Sequence, residues 1–373
     1  MGATYKNNIE LTIFGESHGK AIGITIGNLP SGIQIDLDEV ARDMKRRAPG
    51  QNKMSTARKE ADQVEILSGL QDGITTGAPL TGVIYNSDQH SKDYSLLKTN
   101  MRPGHSDYPA YIKYKGFNDV RGGGHFSGRI TAPIVLEVEP YKQQEKLNIV
   151  FAGNIAKQIL KQKGIVVGAH ILSIGNVKDE RFPYNVDETL LSSLSQKQYP
   201  TIKEDVFEKM EATILKAREN LDSVGGKVEC VALHVPAGIG EPFFDSLESH
   251  LSSLMFSIPA VKSVSFGDGE MIDQMLGSEA NDCYYYDENG NVKTSSNHNG
   301  GITGGITNGM PVSCTVTFKP TPSIAKKQKT INVETKENVE LEIKGRHDPC
   351  IVQRAVVVVE AMMALGILDM MGE

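Results

Sequence analysis

No apolar run in the 373 residues approaches the roughly 20 needed to cross a bilayer as a helix. A basic-then-apolar leader pattern is missing from the first residues, because Asn7, Asn8 and Glu10 interrupt it. Cysteine is scarce, and Cys230, Cys283, Cys314 and Cys350 stand far apart with no CxxC pair. That spacing argues against a disulfide framework or a zinc site, so no metal is expected. Together these absences point to a reducing compartment, the cytoplasm. Positive charge is in deficit, with 39 Lys and Arg against 46 Asp and Glu and a net charge of −7. The whole molecule is therefore not built to attract nucleic acid or anionic lipid, and any affinity for anions must be local. No GKS or GKT follows a glycine loop, and GxGxxG spacing is missing, which removes the usual nucleotide loops. Tryptophan is absent, and nothing is built on that.

What is present suits a large soluble core, with room by length alone for about two domains. Ile9, Leu11 and Ile13 alternate, as do Ile22, Ile24 and Ile26, which predicts two strands joined by FGESHG (14–19). Asp36 and Glu39 have capping-box spacing, and Leu37, Val40, Ala41 and Met44 form an apolar stripe behind them. That helix must stop near Ala48, because Pro49 and Gly50 follow. Further helices are expected over 205–220 and from about Val352 to Met371. Residues 326–340, rich in Lys and Glu, read as a solvated loop or hairpin.

One order of elements occurs twice. GITTGAPLTGVI (73–84) and GITNGMPVSCTV (305–316) are close variants, and upstream of them lie LPSGI (29–33) and VPAGI (235–239). Each of those is followed by an aspartate and a helical pattern, Asp36 to Met44 and Asp245 to Leu254. The spacing is too long for a solenoid. It predicts one domain over 1–373 made of two similar halves, roughly 9–130 and 205–350, each with a sheet and a helical layer. Ligand would fit between the halves.

Several segments carry candidate chemistry. Lys45, Arg46, Arg47, Lys53, Arg58 and Lys59 concentrate six cations in an otherwise acidic chain, which suits a small polyanion with carboxylate or phosphate groups. No aromatics are interleaved for stacking bases. FGESHG and RPGHSDY (102–108) each set a histidine, His18 and His105, beside glycine, where a ligand can come close. Histidine also transfers protons near neutrality. RGGGHFSGR (121–129) offers a glycine loop whose amides could form an anion nest with Ser127 and Arg129. A second glycine-rich stretch, NHNGGITGGITNG (297–309), is followed by KPTPSI and KGRHDPC, where Pro349 could open the last helix. Asp348, beside cations, could stay ionised and take a proton. Spacing alone does not name the reaction.

FGESHG, RRxPGQ, STARKEAD, GITTGAP, DQHSKDY, RPGHSDY, RGGGHFSGR, VPAGIGEP, GSEAND, NHNGGITGGITNG, KPTPSI and GRHDPC follow one another over nearly the whole chain. That series resembles the chorismate synthase family. The resemblance implies an α+β fold, a layered sandwich of sheets and helices, assembled as a homotetramer. It also implies an anti 1,4-elimination of phosphate from 5-enolpyruvylshikimate 3-phosphate, giving chorismate at the last step of the shikimate pathway toward aromatic amino acids. Reduced FMN is required although there is no net redox change. By motif, His18 would assist phosphate departure, His105 would protonate reduced flavin, and Asp348 would support deprotonation. Arg47, Lys53, Arg58, Arg129 and Arg346 would hold the substrate's phosphate and carboxylates. Flavin contacts would fall at His125, Phe126, Ser127, Pro259, Ala260, Gly304, Lys319, Pro320, Thr321, Pro322, Ser323 and Arg346.

Three departures from the family pattern stand out. Lys53 replaces the commoner Arg, HFSGR replaces RSSAR, and residues 136–149 read as an inserted peripheral loop or hairpin. Some members of the family reduce their flavin with NADPH. No dinucleotide fingerprint is present here, so an external flavin reductant is expected. Two rivals remain at this stage: a flavin oxidoreductase, which would oxidise its substrate, and a non-catalytic binder, which would survive loss of both histidines.

Overall fold

The computed structural model describes residues 2–39, 43, 46, 63–86, 96–131, 137–138, 152–343 and 348–372. The first alternating run forms β2 (Glu10–Gly15), preceded by β1 (Thr4–Lys6) and followed by β3 (Ala21–Gly27). With β4 (Gln63–Ser68), β5 (Leu80–Tyr85) and β6 (Glu137–Val138) they make a sheet in the order β1-β2-β3-β5-β4-β6. Its pairs are antiparallel except β4 with β6. The second sheet contains β7 (Val166–Ile174), β8 (Val177–Lys178), β9 (Gly226–Leu233), β10 (Val261–Phe266) and β11 (Val312–Phe318). Its order is β8-β7-β9-β11-β10, antiparallel throughout.

Among the described residues the longer helices are α1 (Asp107–Lys113), α2 (Ala152–Gln162), α3 (Glu188–Gln196), α4 (Val206–Glu219), α5 (Leu247–Ser257) and α6 (Val352–Met371). In α6, Val352 and every residue from Ala355 to Asp369 is buried. A helix apolar on all sides needs partners on all sides, which is why four consecutive valines are helical here despite their strand preference. The packing shows those partners. Val228, Cys230 and Ala232 of β9 share one core with α6, α2, α5 and Ile22, Ile24 and Ile26 of β3. Val231 and Leu233, on the opposite face of β9, pack with Phe182, Val186, Leu191 and Leu194 under α3. The result is an α+β sandwich with α6 at its centre. Asp369, near the end of α6, ties the first sheet in place: it accepts from Tyr5 Oη at 2.6 Å, Asn7 Nδ2 at 2.8 Å and Ile9 N at 2.6 Å. Among the described residues no helix is long and apolar enough to cross a membrane.

The two repeated segments make the same bonds. Thr75 Oγ1 accepts from Ile33 N at 2.9 Å and donates to Pro30 O at 2.7 Å. Thr307 Oγ1 accepts from Ile239 N at 2.9 Å and donates to Pro236 O at 2.6 Å. The backbones match too: Gly32 N and Gly238 N donate to the carbonyls of Thr75 and Thr307 at 2.8 and 2.9 Å.

Several local expectations change. Asp36 Oδ1 caps the helix at 37–39 by accepting from Asp38 N and Glu39 N, but Glu39 does not return the bond. Gln158 Oε1 takes Asp36 N, and Glu39 pairs with Lys161. The helical pattern expected from Asp245 begins at Leu247, with Ser246 as its cap. Pro349 lies outside α6, its carbonyl accepting from Val224 N. Residues 326–340 contain most of a hairpin, Gln328–Asn332 with Glu337–Leu341. Of 136–149, only Glu137 and Val138 fall among the described residues, at the edge of the first sheet.

Candidate active site

The turn between β2 and β3 carries His18, 3% exposed. Gly15 is required there for the turn itself. Its φ is +96°, and a Cβ would stand 2.3 Å from Ala21 O. The close approach to His18 comes from elsewhere. Gly122, Gly123 and Gly124 all have positive φ, and a Cβ on Gly122 would lie 2.3 Å from His18 Cε1. A Cβ on Gly123 would lie 3.3 Å from His105 Nε2, and one on Gly124 would strike Asp119 O at 2.1 Å. The glycine loop thus runs between the two histidines, with successive residues against each. Gly123 N donates inward to Val120 O at 3.3 Å, so that amide is not presented to an anion. Gly124 O accepts from Ser17 N at 3.1 Å, which locks the loop to the His18 turn. Ser17 Oγ is buried with no hydrogen-bond partner among the described residues.

His125 is anchored by its Nδ1, 2.8 Å from Gly15 O, while Phe126 lies exposed with its ring centroid 6.3 Å from that of Tyr114. Arg129 donates from Nε to Asn86 Oδ1 at 2.8 Å, and its amide reaches Ser127 Oγ at 3.3 Å. Asn86 Nδ2 in turn donates to Glu16 O and Gly19 O, so it braces the His18 turn and Arg129 together. No motif singled out Asn86, because its role needs the end of β5 to meet a turn almost seventy residues earlier.

His105 sits in the turn before α1. Its Nδ1 is 2.6 Å from Asp107 Oδ1, and Asp107 is also bonded by buried Arg102. Burial works to raise the Asp107 carboxyl, but the bonds from Arg102 and His105 outweigh it and hold the group well below the usual carboxylate range. Burial depresses His105; the bond to Asp107 works against that, and the Arg102 and Lys319 cations reinforce it.

Residues 319–323 join the rest. Lys319 Nζ donates to Gly104 O, beside His105, and Lys319 N donates to Ala260 O at 3.0 Å. Arg102 Nη1 lies 3.4 Å from Ser323 Oγ, and Thr321 Oγ1 donates to Asp348 O at 2.6 Å. Asp348 accepts from Arg354 Nη1 at 2.6 Å, a contact made from the first turn of α6. The fold therefore gathers His18, His105, the loop 121–129, Ala260, 319–323 and Asp348. Gly305 O accepts from Leu247 N at the start of α5, whereas Pro259 and Ala260 follow its end. Eleven helical residues separate the two places by about 15 Å.

Arg47, Lys53, Arg58 and Arg346 lie outside the described residues. Arg46 lies within them and faces inward, not toward ligand. Its Nη1 and Nη2 reach Glu360 at 2.8 and 2.7 Å, and Nη1 reaches Asp43 at 2.9 Å. Lys157 completes a buried group of two cations and two anions, 2.8 Å from Asp43 and 3.0 Å from Glu360.

An α+β sandwich that holds two histidines on either side of a glycine loop fits the class of enzymes that move protons. The comparisons with known proteins narrow that class. The model of the chorismate synthase family matches residues 9–371. A chorismate synthase of Thermococcus gammatolerans is 45% identical over 361 residues, covering 97% of this chain and 95% of the relative. One from Methanocaldococcus jannaschii is 43% identical over 377 residues, covering 99% and 96%. A solved chorismate synthase structure superposes with a TM-score of 0.72 at 26% identity, covering 97% of this chain and 91% of the other. The chain belongs to the chorismate synthase family and is a lyase.

Proposed function

We propose that this chain eliminates phosphate from 5-enolpyruvylshikimate 3-phosphate in the anti 1,4 sense to form chorismate, with reduced FMN as cofactor. The observation that carries the reading is the placing of His18 against Gly122 and of His105 Nε2 against Gly123, two proton-transfer groups served by one glycine loop. The residues fit a planar, anionic cofactor. Exposed Phe126 offers an apolar ring, Ser17 Oγ is a buried polar atom with no partner among the described residues, and Lys319 adds a cation beside His105. His125, Ser127, Pro259, Ala260, Lys319 to Ser323 and Arg346 would hold it. Gly304, at the other end of α5, would add a further contact to the cofactor. When bound, reduced FMN would lend electron density to the elimination and recover it, with no net oxidation of the substrate.

The chain's own groups do the rest. A protonated His18 stabilises charge developing on the departing phosphate, with Arg129 close by. His105 Nε2 holds the proton delivered at the cofactor's edge. Asp348, ionised and steadied by Arg354, supports removal of the substrate's proton. Arg47, Lys53, Arg58 and Arg346 bind the phosphate and carboxylates. The matching bonds at Thr75 and Thr307 support a single domain of two similar halves, roughly 9–130 and 205–350. A homotetramer in the cytoplasm, supplied with reduced flavin from outside, completes the reading.

The test is anaerobic. Substrate and dithionite-reduced FMN are given to the purified protein, and chorismate absorbance and phosphate release are followed. Equal formation of both, absent with oxidised FMN, is expected. Folded, flavin-bound protein that forms neither product would overturn the reading in favour of a metabolite binder. His105→Ala and Asp348→Ala should each keep the fold and lose about 10²-fold or more in turnover.

A further inference from the structure

The Asp107 carboxylate is saturated with donors. Oδ1 lies 2.6 Å from His105 Nδ1 and 2.7 Å from Arg102 Nη2. Oδ2 accepts from Arg102 Nε at 2.7 Å and from the Arg102 amide at 3.1 Å. Asp107 and Arg102 are both buried, so water does not compete for these bonds. An ionised carboxylate only accepts, and the ring nitrogen facing it must therefore donate. Ser106 Oγ is 3.5 Å from the same nitrogen, too far to displace the carboxylate. The neutral ring thus carries its proton on Nδ1. The other nitrogen, Nε2, is the one turned to the glycine loop.

An Asp–His pair alone would favour the charged imidazolium. Here Arg102 offsets the carboxylate, and Lys319 stands on the other side of the turn as a second cation. We propose that Asp107 is a positioning residue for His105: it fixes the Nδ1–H tautomer and delivers Nε2 to the ligand, while Arg102 seats Asp107 and offsets its charge. This rests on the reading of His105 as a proton-transfer group. Among the described residues the charged groups that face the ring are Asp107, Arg102 and Lys319, so the arriving ligand's own negative charge is what favours a proton on Nε2.

The test uses the full chain labelled with ring-15N histidine. Long-range 1H–15N spectra of the resting protein, assigned with His105→Gln, report the tautomer without any turnover. Nδ1 protonated and Nε2 bare is expected on the alkaline side of the ring's titration. Asp107→Asn keeps the shape but can both donate and accept. It should mix the tautomers and lower kcat by about 10²-fold, with KM within about threefold of the parent. A resting Nε2–H tautomer overturns the proposal, and that spectrum decides the matter even if the variant fails to fold. Normal kcat in Asp107→Asn also overturns it, as does a fall in kcat with an unchanged ring spectrum. Full turnover in His105→Ala would instead remove the proton-transfer reading and leave the tautomer result standing.

Discussion

A methyl group on Gly122 would sit 2.3 Å from His18 Cε1 and 2.8 Å from Ser17 Oγ, on a backbone with φ of +56°. Either the loop or the His18 ring must move to admit it. Gly122→Ala should keep the fold, at a strain cost of about 1–3 kcal/mol. Turnover should fall about 10²-fold, because a displacement near 1 Å is enough to misplace a proton-transfer group. Turnover and a thermal melt measure the two effects separately, and unaltered turnover would show that the ring's position is not critical. The sequence marked both histidines and the three glycines, but not that Gly122 packs against His18. Gly15 and Gly19 are neighbours in the chain, and Gly15 serves the turn. Gly122 comes close only because the loop at 121–126 folds back over that turn, a contact that local spacing cannot announce.

Helix packing shows the same division between what is local and what is not. A Cβ on Gly153 of α2 would be 2.1 Å from Ala361 Cβ of α6, so the two helices cross at contact distance. Gly153→Ala should push them apart and destabilise the protein by about 1–3 kcal/mol, read from urea unfolding. Glu360 is a sharper case. It is 2% exposed and answers both Arg46 and Lys157. Glu360→Gln leaves two buried cations facing Asp43 alone, and a loss of about 3–5 kcal/mol is expected in the same experiment. A change below about 0.5 kcal/mol would mean that water reaches the group after all. The sequence located α4 and α6 closely, because apolar periodicity and burial are strong signals there. It read Arg46 as part of a ligand-facing cluster, because a carboxylate more than three hundred residues later is invisible to local spacing.

At the scale of the whole molecule, the buried charge group sets a dependence on pH. Burial works to raise Asp43 and Glu360, but Lys157 and Arg46 outweigh it, and both carboxyls titrate lower in the folded protein than in the unfolded chain. Their stabilisation is therefore complete above the unfolded values of 3.8 and 4.5 and is lost as pH falls below them. His170 acts in the opposite sense. Burial lowers it, but Asp179 and Glu229 raise it further, so its contribution is full below the unfolded value of 6.5 and fades as pH rises through its folded value. Urea midpoints should fall steeply below about pH 4.5 and respond little to added salt, since buried pairs are poorly screened. Stability that stayed flat to about pH 3 would contradict the assignment.

By itself the sequence determined the class of fold, the family, the two histidines, the glycine loop and the repeated segments that meet Thr75 and Thr307. Those are matters of residue type, order and short-range periodicity, which the chain carries openly. Only the tertiary structure decided which glycine approaches which histidine, that Arg46 turns inward, and that Asn86 and Arg354 brace the site. Each of those depends on groups far apart in the chain brought within bonding distance by packing around α6, and no local pattern encodes a distance that the core alone sets.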